Sequence, residues 1–79
     1  MKLELFYMRF CPYCLKVTRF INKYKLGDKI ELINISTDKE GEKRLAEIGG
    51  KVQVPCLFVD GQPMYESSAI IEFLKTNLL

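Results

Sequence analysis

Phe10-Cys11-Pro12-Tyr13-Cys14 is the stretch on which the reading of this 79-residue chain turns. Two cysteines stand two residues apart between unlike neighbours. Lys2–Tyr7 alternates and then becomes apolar, as a strand entering a core does, while Leu15–Tyr24 repeats its apolar residues at helical spacing. A Cys-x-x-Cys by itself is ambiguous. Zinc normally takes four ligands from Cys, His or carboxylate, and this chain has no histidine and a single further thiol, Cys56. On a strand-to-helix turn the same spacing reads as a dithiol redox centre, and no metal site is expected.

The local geometry explains the residue types. Pro12 suits the first helical position, where its missing N–H costs nothing and its fixed φ starts the helix. That places Cys11 at the N-cap, where free backbone N–H groups and the helix dipole favour negative charge. Arg9, two residues earlier, adds to the positive potential. Cys11 is therefore read as the attacking thiolate, and a stabilised thiolate is also the better leaving group when a second thiol arrives. Cys14 lies one turn in, on the stripe Cys14, Val17, Ile21 and Tyr24. It should be covered, which makes it the resolving thiol.

Outward from this centre the chain reads as one domain, residues 1–79, too short for a linker and a second core. Chains of this size have marginal cores, yet 48% hydrophobic and 11% aromatic residues make an unaided fold plausible. The net charge of +2 is too mild to argue for nucleic acid. Basic residues gather early, with Lys2, Arg9, Lys16, Arg19, Lys23, Lys25 and Lys29 set against Glu4 and Asp28. Three cysteines do not resemble a secreted disulfide framework. With no apolar leader and no run able to span a bilayer, the expectation is a cytoplasmic monomer away from membranes.

The first helix should end at Leu26-Gly27, with Gly27 as its C′ residue. Lys16, Arg19 and Lys23 share its outer face, either as ordinary solvated charge or as an attractor for an anionic tripeptide. A second strand over Ile30–Ile35 is apolar on both faces and should be covered on both. Thr37-Asp38-Lys39-Glu40 has capping-box spacing and opens a short helix through Leu45 and Ile48 that Gly41 weakens and Gly49-Gly50 ends. Cys56–Val59 suits a central strand, Asp60-Gly61 signals a hairpin, and Pro63 sends Gln62–Tyr65 to an edge. A last helix over Ser67–Thr76 should bury Ile70, Ile71, Leu74 and Leu78. The order βαβαββα, a parallel βαβ unit followed by ββα, predicts an α/β domain with a four-stranded mixed sheet and three helices on its two faces.

Cys11-Pro12-Tyr13-Cys14 within this frame resembles the active site of the dithiol glutaredoxins. Val54-Pro55, Asp60-Gly61 and the final helix fall where that family places its later elements, so the resemblance spans the chain. Tyr65-Glu66-Ser67-Ser68-Ala69-Ile70 departs from the Gly-Gly-x-Asp-Asp stretch common in glutaredoxins. It is more similar to the Glu-Ser stretch in the N-terminal domain of glutathione transferases. The resemblance implies a thioredoxin-like fold, a cis Val54-Pro55 bond facing the active-site cysteine, and a Val54 backbone that pairs with substrate as an added strand. It implies a glutathione groove that includes Tyr13, with Glu66 and Ser67 holding the γ-glutamyl end; from the residues alone, Ser67 is most simply the N-cap of the last helix. Arg9, Tyr13, Val54, Pro55, Glu66 and Ser67 are thus the expected glutathione contacts. Cys56 reads as core, since free cysteine is among the most buried residue types.

The function these readings predict is a glutathione-dependent thiol–disulfide oxidoreductase acting on protein disulfides and glutathione mixed disulfides through Cys11 and Cys14. Glutathione is the reductant, and no permanently bound cofactor is expected. An alternative is an iron–sulfur carrier in which two chains bridge a cluster through Cys11 and two glutathiones. Cys14 and Pro12 argue against it, because members with one active-site cysteine are its usual bearers. A third reading is a transferase-like glutathione-binding module, for whose usual helical second domain 79 residues leave no room.

Overall fold

The computed structural model describes all 79 residues, Met1–Leu79. The elements are β1 (Leu3–Tyr7), α1 (Pro12–Lys23), β2 (Glu31–Asn34), α2 (Lys39–Gly49), β3 (Cys56–Val59), β4 (Gln62–Met64) and α3 (Ser67–Leu78). They form one four-stranded sheet in the order β2-β1-β3-β4. β1 runs parallel to β2 and antiparallel to β3, and β4 pairs antiparallel to β3. This is the expected mixed βαβαββα sheet, with β3 central and the Pro63 strand at an edge.

Strand alternation divides the core between the two faces. Leu3, Leu5 and Leu57 join Val17 and Ile21 of α1 and Ile70 and Leu74 of α3. Phe6, Cys56 and Phe58 point the other way, into a cluster with Ile33, Ile35 and Leu45. Ile71 and Leu78 of α3 are only partly buried against the first cluster. Glu4, on the same face as Phe6, is 3% exposed. It is held by two hydrogen bonds from Arg44 of α2, at 2.8 and 3.1 Å.

Four local expectations need correction. α1 ends at Lys23, and Lys25, at φ 55°, takes the left-handed position expected of Gly27. Leu26 N–H bonds to the Ile21 carbonyl at 2.9 Å and Lys25 N–H to Asn22 at 3.2 Å, the pair that defines a Schellman motif. Buried Leu26 anchors this turn beside Ile21, so tertiary packing overrides the conformational preference of glycine. β2 is an edge strand beside β1, and it is not covered on both faces: Ile33 is buried while Leu32, on the other face, is 41% exposed.

The cap of α2 is Asp38 rather than Thr37. Its carboxylate accepts from Gly41 N–H at 2.9 Å, while the Thr37 hydroxyl bonds to the Asn34 carbonyl. Gly41 has a packing role besides its low helix propensity. A Cβ there would stand 2.5 Å from Ile33 Cγ2, so α2 lies close enough to β2 to require glycine. Finally, Glu66 rather than Ser67 is the N-cap of α3, at φ 75° and ψ 114°, and no side chain caps its first turn.

Candidate active site

The loop leaving β1 turns directly into α1. Cys11 is the N-cap in extended conformation, Pro12 follows at the first helical position, and Leu15 N–H closes the first helical bond to the Cys11 carbonyl at 2.9 Å. Cys11 Sγ accepts a hydrogen bond from Cys14 N–H at 3.3 Å and donates to the Val54 carbonyl at 3.9 Å. The Val54-Pro55 peptide bond is cis. Cys11 is partly exposed, whereas Cys14 is 1% exposed. Burial pushes the Cys14 thiol up to about 12, with smaller contributions from its hydrogen bond to Cys11 and from the charge on that sulfur. The outer thiol is thus reachable, and the inner one is held protonated beneath it.

Val54, Pro55, Tyr13, Glu66 and Ser67 line one polar groove of about 350 Å³. Five of the six residues expected to contact glutathione therefore meet, although they come from three separate segments. The left-handed backbone at Glu66 turns the chain into α3 and leaves the first N–H groups of that helix free of side-chain caps, available to a carboxylate. Lys16, Gln53 and Ser68 also line the groove. Lys16, Arg19 and Lys23 read in the sequence either as solvated charge or as an attractor for an anionic tripeptide, and of the three only Lys16 lines this groove. Its position three residues after Tyr13, on one helical face, was the signal that places it here.

Arg9 lies apart from these five. It lines a second depression, of about 360 Å³, with Met8, Phe10, Cys11, Asn34, Ser36 and Thr37. Its guanidinium lies 5.4 Å from the centre of the Phe10 ring. Cys56 is fully buried in the α2-side cluster, and burial raises its thiol, partly opposed by the Tyr65 hydroxyl. No group of three or more His, Cys, Asp or Glu side chains is arranged to hold a metal ion. No helix is long and apolar enough to cross a membrane.

Residues 10–77 match the family model described as glutathione S-transferase, N-terminal domain. Glutaredoxin 1 of Rickettsia conorii is 31% identical over 70 residues, covering 87% of this chain and 68% of that protein. The chain belongs to the glutaredoxins and to the glutathione S-transferase N-terminal domain family. Its activity is that of a glutathione-dependent thiol–disulfide oxidoreductase.

Two solved structures show where a glutaredoxin of this shape stands. Glutathione transferase Omega 3C from Trametes versicolor superposes with a TM-score of 0.78 at 24% identity, covering 96% of this chain but 31% of its own. The holo form of glutaredoxin C1 from Populus tremula x tremuloides gives 0.65 at 20% identity, covering 95% and 75%. At these identities they establish the thioredoxin-like fold. The chain spans about two thirds of the rickettsial glutaredoxin and about a third of the transferase.

Proposed function

We propose that Cys11 is the nucleophile and Cys14 the resolving thiol of glutathione-dependent reduction of protein disulfides and glutathione mixed disulfides. The observation that carries this is the contrast between the sulfurs. Cys11 is partly exposed at the N-terminus of α1, and Cys14 is covered one turn below.

With a protein disulfide, the Cys11 thiolate attacks one sulfur and the S–S bond breaks. The departing sulfur leaves as a thiolate and takes a proton from water. Cys11 is now bonded to the substrate, so the charge and hydrogen bond by which it raised the Cys14 thiol are gone, and Cys14 ionises more readily. The Cys14 thiolate attacks Cys11 Sγ, expels the second substrate thiol, and leaves a Cys11–Cys14 disulfide. Two glutathione thiols reduce that disulfide and become one glutathione disulfide. With a glutathione mixed disulfide, Cys11 takes the glutathionyl sulfur, and a second glutathione releases it as glutathione disulfide.

The polar groove supplies the glutathione site in this reading. Lys16 and the open first turn of α3 face the carboxylates, Tyr13 lends a ring, and the Val54 backbone offers a pairing edge. The chain is proposed to work as a monomer in the cytoplasm, with no bound cofactor beyond its co-substrate.

The test separates the thiols. Cys11→Ser abolishes exchange on every disulfide. Cys14→Ser retains reduction of glutathione mixed disulfides, because free glutathione replaces the resolver, and loses reduction of protein disulfides. Equal loss in both variants on both substrates overturns the assignment. Glu66→Ala with Ser67→Ala raises KM for the glutathionylated substrate more than it lowers kcat, as loss of a positioning contact should.

A further inference from the structure

Cys11 lines one depression and reaches the edge of the polar groove through its bond to the Val54 carbonyl, and the two hollows differ in chemistry. The polar groove already has an occupant in the proposed cycle, while the second depression has none. Its walls are largely apolar, formed by Met8 and Phe10 on the side of the catalytic loop, with Ser36 and Thr37 closing it from the turn before α2. Phe10 is 86% exposed and belongs to neither core cluster. A large aromatic ring left in water beside a nucleophile contributes nothing to the packed interior, but it offers apolar area to whatever docks there.

Arg9 supplies the second observation. Its guanidinium is stacked on the Phe10 ring and has no carboxylate partner, since the molecule's ion pairs are Lys39–Glu42 and Arg44–Glu4. Its donors are free for the bidentate pairing that guanidinium makes with a carboxylate. The two features together specify one chemistry, an apolar side chain with an acidic group close behind it.

We propose that this depression receives the large apolar side chain next to the reactive cysteine of a disulfide peptide or protein, and that Arg9 pairs with a carboxylate on the same segment. When substrate sulfur is bonded to Cys11, the substrate chain is tethered at the wall of the depression. The adjacent residue of an extended chain lies only about 3.3 Å further along. The glutathione groove and this depression then divide the labour, with the reductant on one side of the sulfur and the substrate's neighbouring residues on the other. The inference rests on the exchange chemistry proposed above.

Three disulfide peptides test it, identical except that the reactive cysteine is followed by Phe-Glu, Phe-Gln or Ser-Gln, each reduced by the full chain with glutathione. The expected result is a kcat/KM for Phe-Gln about tenfold or more above Ser-Gln, the scale on which apolar pockets discriminate, with Phe-Glu higher again and falling towards Phe-Gln in salt. Phe10→Ser collapses the Phe-over-Ser ratio towards one, Phe10→Leu retains most of it, and Arg9→Gln removes the Glu-over-Gln ratio while the Phe-over-Ser ratio stands, whatever the change in overall turnover. Both side chains are on the surface, so the core survives these changes. Equal turnover of the three peptides by the unaltered protein overturns the subsite, as does a Phe preference that persists in Phe10→Ser. Absence of turnover on all three and on cysteine–glutathione disulfide overturns the exchange chemistry itself, a different and recognisable result.

Discussion

Beneath α1 and α3 the sheet buries Leu3, Leu5, Val17, Ile21, Leu57, Ile70 and Leu74 with no polar side chain among them. Beneath α2 it buries the Glu4 carboxylate against Arg44, which also lies over the rings of Phe6 and Phe58 at 5.6 and 5.9 Å. Apolar burial is strong but non-directional, so it holds α1 and α3 down without singling out one contact that orients them. The Arg44–Glu4 ion pair, the close approach at Gly41 and the Tyr65 hydrogen bond to Gly49 are specific contacts, and they set the position of α2 individually. The active site draws on both regimes. Cys11 and Cys14 ride on α1 over the apolar face, while Val54 and Tyr65 pack against the α2-side cluster. Both faces of this 79-residue domain bury apolar side chains, and the α2 side adds the directional contacts that place its helix.

The comparison is broken most severely from the apolar side. Leu74→Ala or Ile70→Ala removes a fully buried side chain and should cost about 2–5 kcal/mol, enough to leave so small a domain largely unfolded. Denaturant unfolding measures this, and a loss below about 1 kcal/mol would mean that the face is not packed as described.

Next in size is the ion pair. Arg44→Met strands Glu4 and should cost about 2–4 kcal/mol, below the usual range for a broken buried pair because the Arg44 side chain is itself 40% exposed. Glu4→Leu combined with Arg44→Leu should recover most of the loss. The hydrogen bond from Arg44, with a weaker coulombic contribution, holds the Glu4 carboxyl below its ordinary value of 4.5 despite burial. A carboxylate with a depressed folded value stabilises the fold above 4.5 and loses that contribution as pH falls through the lower folded value. The Arg44→Met penalty should therefore be full at pH 7 and shrink below about pH 4.5. A penalty constant across that window would assign Arg44 a packing role only.

Gly41→Ala sharpens the contrast by its sign. On helix propensity alone it should gain about 1 kcal/mol. The clash of its Cβ with Ile33 Cγ2 should instead cost about 1–3 kcal/mol, because α2 must lift from β2. Thermal unfolding decides between the two.

The smallest effect is expected at Tyr65, whose hydroxyl donates to the Gly49 and Lys51 carbonyls at 3.2 and 3.4 Å. Tyr65→Phe should lose about 0.5–1.5 kcal/mol. Burial raises both this phenol and the Cys56 thiol, so the stability they carry is present at neutral pH and lost as pH climbs past about 9, the ordinary value for the thiol. Cys56→Ala should flatten the alkaline end of the stability profile.

Elements with a strong local signal were legible in the sequence. Pro12 after Cys11, Asp60-Gly61 between two apolar runs, and the 3.6-residue stripe of α1 all acted through contacts within a few residues. What the sequence concealed depends on partners far along the chain. Glu4 and Arg44 are forty residues apart, and nothing local distinguishes a glutamate that will be buried from one that will be solvated. Lys25 replaces Gly27 at the turn after α1 because buried Leu26 fixes where the chain must go. In the site, Tyr13, Val54, Pro55, Glu66 and Ser67 do converge on one groove, but Arg9 lines a different depression together with Cys11, a distinction that spacing does not carry.

By itself, then, the sequence determined the order of elements and the mixed sheet, and it pointed to Cys11 and Cys14 as the proposed redox pair. All of these follow from periodicity, proline and glycine placement, and the fixed geometry of a helix N-terminus. The tertiary structure alone decided that Cys11 lines an apolar depression with an unpaired Arg9 and touches, through the Val54 carbonyl, a separate polar groove. Those two hollows are assembled from segments that meet only when the sheet closes. Their chemistry is a property of side-chain direction at long sequence separation, which packing sets and local preference does not.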